Sequence, residues 1–456
     1  MRRFLSWGLF LFLSASYCSL TLGAAPADPG EVLTLTLDEA VKRALDNSIS
    51  LQKNLIDLST REYSAKRLWS EIFPTINASG GLNYGTNLFT GDGFKADDRN
   101  LSYSVSAGLE LSLNAGLPAV MKNIRLAWQA QLLKYEDAQK QLEISVAKSF
   151  YGLIADMEDL SLLEEMLKLA EQQLERNRLA FGNGLLAERV YLQSQLGVET
   201  AKYNLSTARA NYANRMGVFL TSLGLGQDGS AGANGGVKLE GHLTITRIEE
   251  DPEALIREYL PKRPDIIEQR QTIERLENTK KQTVLSSRAP SVGLGATWSL
   301  GPPSAGRVKD DPVDTIRGSV TVRIPIDPWI PGTAKSQSIR TAGTEVDKAR
   351  LDLKDREDAA ASQIRSLTAT LRNSWDSLEI ARLRVKIAER THELTEQGFR
   401  SGTVESLTLE EARNDLESAR YQLLRGELAY QTTALDLAAA LNVDWKTLEL
   451  FNNFSY

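Results

Sequence analysis

Residues 101–113 read LSYSVSAGLELSL. Leu101, Tyr103, Val105, Ala107, Leu109, Leu111 and Leu113 hold the odd positions, and Ser102, Ser104, Ser106, Gly108, Glu110 and Ser112 the even ones. Such strict alternation predicts a strand with one apolar and one wet face. Three further stretches share the pattern. TINASGGLNY (75–84) places Ile76, Ala78, Leu82 and Tyr84 on one side, and SVGLGATWSL (291–300) does so with Val292, Leu294, Ala296, Trp298 and Leu300. TIRGSVTVRIPI (315–326) sets Ile316, Val320, Val322, Ile324 and Ile326 against Arg317 and Arg323. A half-buried soluble sheet also alternates. Four such strands of about ten residues or more, with no other sheet signal, match membrane-spanning β-strands better.

The rest of the chain reads as helix, and it repeats. FGNG begins at Phe181 and FRSG at Phe399, and the same offset links Gly184 with Gly402, Tyr203 with Tyr421, Tyr212 with Tyr430 and Leu223 with Leu441. Two similar halves follow from this self-similarity. Residues 26–223 form the first, with strands near 75–84 and 101–113 and a helical hairpin over 117–222. Residues 252–456 form the second, with strands near 291–300 and 315–326 and a hairpin over 334–441. A linker, 224–251, opens with GLGQDGSAGANGG, the composition of a flexible connection. Residues 37–72 are expected to form one helix capped by Asp38 and stopped before Pro74.

No proline interrupts residues 119–180 or 334–397. Roughly sixty helical residues span about 90 Å, which implies a coiled coil rather than a globular helix. The return helices explain how. Tyr191, Ser194, Val198, Ala201, Leu205, Ala208 and Tyr212 step by three and four, as do Leu409, Ala412, Leu416, Ala419, Leu423, Gly426 and Tyr430. These are heptad-like seams with small residues that permit close helix packing.

The N-terminus predicts a secretory signal over 1–25. Arg2 and Arg3 precede the apolar run 4–12, and small residues follow at Gly23, Ala24 and Ala25. Cys18, the only cysteine of the 456 residues, lies inside it. It is either lost with the signal or kept as a lipidated N-terminus. No other segment reaches the twenty apolar residues of a membrane helix. A net charge of −6 offers no basic footprint for nucleic acid. No GxxxxGK[ST] is present, nor a GxGxxG after a strand. His242 and His392 stand far apart and no HExxH occurs, so the sequence predicts no catalytic residue, cofactor or metal.

A sheet in lipid must close, because an open edge leaves N–H and C=O groups unpaired. Known membrane barrels begin at about eight strands, so four strands per chain require shared construction. Two copies would nearly fill their interior, whereas three give twelve strands and a passage. At this point the chain resembles the TolC-like outer-membrane efflux proteins over essentially its whole mature length. LTLDEAVKRALDNS (35–48), IFPTINASGGLNY (72–84), YLPKRPDIIEQR (259–270) and the paired turns FGNG and FRSG carry the resemblance through their order, spacing and duplication. It implies a mainly α fold with a β-barrel portion: a homotrimer sharing a twelve-stranded barrel that continues as a periplasmic coiled-coil tunnel. The function implied is a passive exit duct of a tripartite efflux or type I secretion system in the bacterial outer membrane. Its implied partners are outer-membrane lipid, a periplasmic adaptor (membrane fusion) protein and an inner-membrane transporter.

The resemblance also nominates residues. The tunnel's periplasmic end is gated just after the second turn, in SGTVESLTLEEARNDL (401–416). There Glu411 matches one of the family's two acidic ring positions, Thr408 departs from the other, and Glu410 and Asp415 are candidates to compensate. Three like charges at one axis would repel unless screened. The hairpin tips Phe181, Gly184, Phe399 and Gly402 are candidate adaptor contacts. Glu110, Arg317 and Arg323, on wet strand faces, are candidates for the barrel lumen. The main rival is a non-conducting coiled-coil protein of the envelope, which leaves the strands unexplained. A periplasmic adaptor would carry one hairpin rather than a duplicated pair, and a secreted enzyme lacks any catalytic constellation.

Overall fold

A computed structural model describes residues 33–86, 99–225, 237–241, 245–301 and 312–444. The expected signal with Cys18, most of the Gly-rich connection, His242 and the final FNNFSY lie outside them. The first half contains β1 (Leu33–Leu35), α1 (Leu37–Asn47), α2 (Ile49–Lys66), β2 (Thr75–Thr86), β3 (Arg99–Asn114), α3 (Leu117–Gly182) and α4 (Glu188–Ser222). The second contains β4 (Val237–Leu239), α5 (Pro252–Tyr259), α6 (Pro264–Arg288), β5 (Ser291–Gly301), β6 (Val313–Arg323), α7 (Ala334–Arg400) and α8 (Ser406–Leu441). The long helices α3 and α7 have 66 and 67 residues, hence about 100 Å each.

Strands β2, β3, β5 and β6 form one antiparallel sheet in that order. Its register sorts the side chains. Ile76, Leu109 and Ala296 share a row, as do Ala78, Ala107, Trp298 and Ile316. The alternate rows hold Thr75, Glu110, Gly295 and Ser319, then Asn77, Gly108, Thr297 and Arg317. One face is therefore apolar and the other wet. Ser79 and Ser106, and Ser299 and Thr315, hydrogen-bond across the wet face at 2.8 Å.

The helices form a single row at each of two levels. Beside the sheet the packing order is α2–α3–α6–α7, and farther from it α4–α3–α8–α7. Two cores hold these levels together. One gathers Leu35, Ala44, Phe150, Phe219, Leu223 and Leu239. The other gathers Leu255, Ile364, Leu371, Leu378, Tyr430 and Leu437. Tyr430 donates its hydroxyl to the Thr246 carbonyl and accepts from the Ile248 amide. Helix α8 runs antiparallel to α3: Lys140 reaches the Asn442 carbonyl, Lys148 pairs with Asp436, and Arg413 reaches the Met166 carbonyl.

The RPD of YLPKRPDIIEQR is a clamp at the start of α6. Arg263 binds both oxygens of Asp265, at 3.0 and 2.8 Å, and donates to the Ala440 carbonyl at 2.9 Å. Burial raises the Asp265 pKa, but the Arg263 hydrogen bonds outweigh it and hold the carboxyl below its ordinary value.

Four local expectations need correction. Residues 37–72 are not one helix. Ser48 adopts an extended ψ of 115°, donates its N–H to the Ala44 carbonyl as the last bond of α1, and caps α2 by accepting from the Leu51 amide. Asp38 is not the cap of α1; Thr36 is, through a reciprocal capping box with Glu39. The fourth strand ends at Arg323 rather than 326, because Pro325 has no N–H for a ladder. The short parallel pair β1–β4 was not expected, since three residues are too few to show a period.

Candidate functional site

Among the described residues, nothing packs over the apolar face of the sheet. Ile316 is 83% exposed, Val320 73% and Ile76 70%, where a packed sheet would bury them. Among the described residues, both outer strands, β2 and β6, also lack a partner on one side. A sheet greasy outside, wet inside and open at both edges is built to sit in lipid and to be completed by other strands.

Aromatic residues mark the level where the sheet meets the helices. Trp69 and Phe73 stack edge to face at 5.5 Å just before β2. Trp329 lies after β6, with Arg288 4.8 Å over its ring. Both tryptophans are exposed, as in the aromatic belts of membrane proteins at the headgroup level. The sequence analysis did not single them out; the signal was an aromatic residue close to a proline at each strand end, WSEIFP and IDPWIP.

On the wet face, Glu110 and Arg323 line one groove of about 350 Å³ with Asn77 and Thr297. Arg317 stands on the same face, level with Asn77. The three lumen candidates thus share one surface.

The hairpin tips are near-copies. The Leu185 amide bonds to the Ala180 carbonyl and the Thr403 amide to the Gly398 carbonyl, both at 2.9 Å. The Gly184 and Gly402 amides bond back to Phe181 and Phe399. Both glycines take the left-handed conformation, with φ of 72° and 77°, as this helix-ending motif requires. A Cβ at Gly402 would meet nothing within 4 Å, so only backbone strain opposes a side chain there. Gly402→Ala is expected to cost about 1–2 kcal/mol, read as faster amide exchange confined to the second tip. Phe181 stacks on Tyr191 at 5.3 Å, while Phe399 is half-buried and has Leu409 at the matching position.

The gate candidates lie in the first turns of α8. Thr408, Glu411, Asp415, Ser418 and Gln422 step by three and four along one exposed stripe. Glu410 is half-buried and one position off it. Asp415 borders the groove between α7 and α8, with Arg384 and Thr391 across it. Neighbouring Arg413 is instead engaged with Glu417 and the Met166 carbonyl.

The ends of the helix row carry a feature the sequence analysis missed. In α7 the heptad positions facing α8 include Leu378, Ala381, Val385 and Ala388, yet Ile380, Leu383 and Leu394 are all more than half exposed away from it, and Ile387, equally exposed, stands at the rim of the α7–α8 groove. In α4, Leu192, Leu196 and Tyr203 likewise turn away from the buried Ser194, Val198 and Leu205. In α2, Ile49, Ile56 and Tyr63 stand exposed at seven-residue steps. The spacing was legible, but only the fold shows that no described residue covers these stripes.

Among the described residues, no helix is long and apolar enough to cross a membrane, while the sheet presents an uncovered apolar face. Comparison with known proteins agrees. A family model described as outer membrane efflux protein matches residues 40–224 and again 255–443, once per half. The antibiotic efflux pump outer membrane protein ArpC of Pseudomonas putida is 23% identical over 416 residues, covering 90% of this chain and 83% of that one. The fold matches the CmeC outer membrane channel of Campylobacter jejuni (TM-score 0.71, 15% identity, 91% of this chain and 89% of that chain). It also matches the outer membrane protein VceC of Vibrio cholerae (TM-score 0.69, 16% identity, 90% and 96%). With a duplicated frame, a lipid-ready sheet and a family match in each half, this chain belongs to the outer membrane efflux protein family: it is a transport protein of the outer membrane, a channel of an efflux pump and not an enzyme.

Proposed function

We propose that three copies of this chain close one twelve-stranded barrel and one helical tunnel, forming the exit duct of a tripartite pump. One observation carries the proposal: the open edges line up. Helix α2 leads into β2, and β6 leads into α7. The sheet therefore ends in β2 and β6 where the helix row ends in α2 or α4 and in α7. The unpaired apolar stripes lie on these same terminal helices. The surfaces on the two sides differ, so the contact is head-to-tail and closes only as a ring. Three copies supply enough strands for an open lumen, which two do not.

In this assembly an expected signal over 1–25 directs export, and the halves 26–223 and 252–456 flank the 224–251 linker. The tips at Phe181, Gly184, Phe399 and Gly402 meet a periplasmic adaptor. Exposed Leu179, Leu185 and Leu407 beside them give that contact apolar area. An inner-membrane transporter selects the substrate. The relative named for antibiotic efflux favours a small-molecule pump over type I secretion.

The gate is the polar stripe of α8. Three copies of Glu411 and Asp415 at a narrowed tunnel end repel one another unless cations screen them, so closure depends on cations. Single-channel recording in planar bilayers tests this. The wild type is expected to conduct in small steps sensitive to divalent cations. Glu411→Ala should conduct in larger steps with that sensitivity reduced. Unchanged steps would move the gate elsewhere, and a wild type that conducts nothing would favour an envelope scaffold.

A further inference from the structure

Beyond forming a passage, the wet face of the sheet has a charge pattern that bears on what passes. Among its described side chains nearly all are Gly, Ser, Thr or Asn. The charged ones are Glu110, Arg317 and Arg323. Arg323 stands level with Ser291 and Asn114 at the helix-proximal end, and Arg317 level with Thr297, Gly108 and Asn77, six residue-pairs (three rows of the wet face) farther along. Glu110 is level with Ser319, between them.

Neither arginine forms an ion pair among the described residues. Their nearest neighbours on this face, Thr297, Thr315 and Ser319 around Arg317 and Ser291 and Thr321 around Arg323, are short and uncharged. The wet face carries two positive charges for each negative one. A charge-lined wall raises the local concentration of counter-ions, most strongly when salt is dilute. Guanidinium groups also bind carboxylate, phosphate and sulfonate in two-point fashion.

We propose that Arg317 and Arg323 form two cationic tiers that make the barrel passage prefer anions, so that solutes bearing a carboxylate, phosphate or sulfonate cross it more readily than cations. The preference is distinct from the acidic stripe of α8, which acts at the other end of the molecule and with the opposite sign. It rests on the shared barrel proposed above, because only there does the wet face become a lumen.

The test is the reversal potential of single channels under a KCl gradient. It is made in the Glu411→Ala, Asp415→Ala background, which removes the opposing charges. The parent is expected to pass chloride over potassium, more so near 0.1 M than near 1 M salt. Arg317→Gln with Arg323→Gln keeps most of the side-chain bulk and leaves Glu110 as the charge on the wall. It should lower the chloride-to-potassium ratio by about threefold or more. A ratio that stays the same in channels that still conduct overturns the arginine tiers and leaves the duct standing. Absence of any channel in the parent overturns the duct reading and the tiers with it.

Discussion

Ile380→Glu combined with Leu383→Glu is expected to leave a folded single chain that no longer assembles. Each side chain is 57% exposed in the isolated chain, so neither supports the fold of its own protomer. In the proposed ring, both lie where α7 meets the next copy. Full burial of an Ile or Leu contributes about 1.5–3 kcal/mol, and the change removes two such groups at every interface. It also moves two carboxylates into an apolar contact, a further cost that the neighbouring Arg384 and Lys386 offset only in part. Helical circular dichroism should stay near the parent value while the mass in detergent falls to one chain. Glu389→Ala, which removes only an exposed partner of Arg420, should leave the assembly intact. An unaltered assembly in the double variant would mean that the exposed stripe of α7 is not an interface.

The second large effect separates neighbouring residues. Val320 lies on the apolar face of β6 and Ser319 on the wet face. An arginine facing lipid near the bilayer midplane costs about 2–4 kcal/mol, and a symmetric barrel incurs it once per copy. Val320→Arg should therefore reduce the amount of heat-resistant barrel in the outer membrane severely. Ser319→Arg points into water and should assemble at near-parent levels with a narrower conductance. Equal tolerance of both variants, or the reverse order, would invert the assignment of faces.

Much of this molecule was legible before folding, for physical reasons. Period two at 101–113 fixes which residues share a face, and the pairing of Leu109 with Ile76 and Ala296 extends that sorting across the sheet. The duplicated turns were legible because left-handed φ at Gly184 and Gly402 narrows the choice of residue. The break at Ser48 was not, because Ser in a polar helix interior gives almost the same local signal as Ser at a cap. The cap at Thr36 was missed because Asp38 two residues later is an equally good capping type. The aromatic pair around the sheet and the outward stripes of α2, α4 and α7 depend on where chain-distant elements end. One sequence read locally shows an apolar heptad but not whether its partner lies in the same chain. The gate and tip residues came from resemblance, and the fold adds to them only a common polar stripe and a common turn.

The central claim is that β6 of one copy meets β2 of the next. Its most direct test is cross-linking between those edges in the outer membrane, with Ser79→Cys on β2 and Ser319→Cys on β6 in one chain and a flexible bis-maleimide. The expected mature chain contains no other thiol. A shared three-copy barrel predicts denatured bands of one, two and three chains and none higher. Reaction only within single chains, a ladder that stops at two, or one that extends without limit would contradict it.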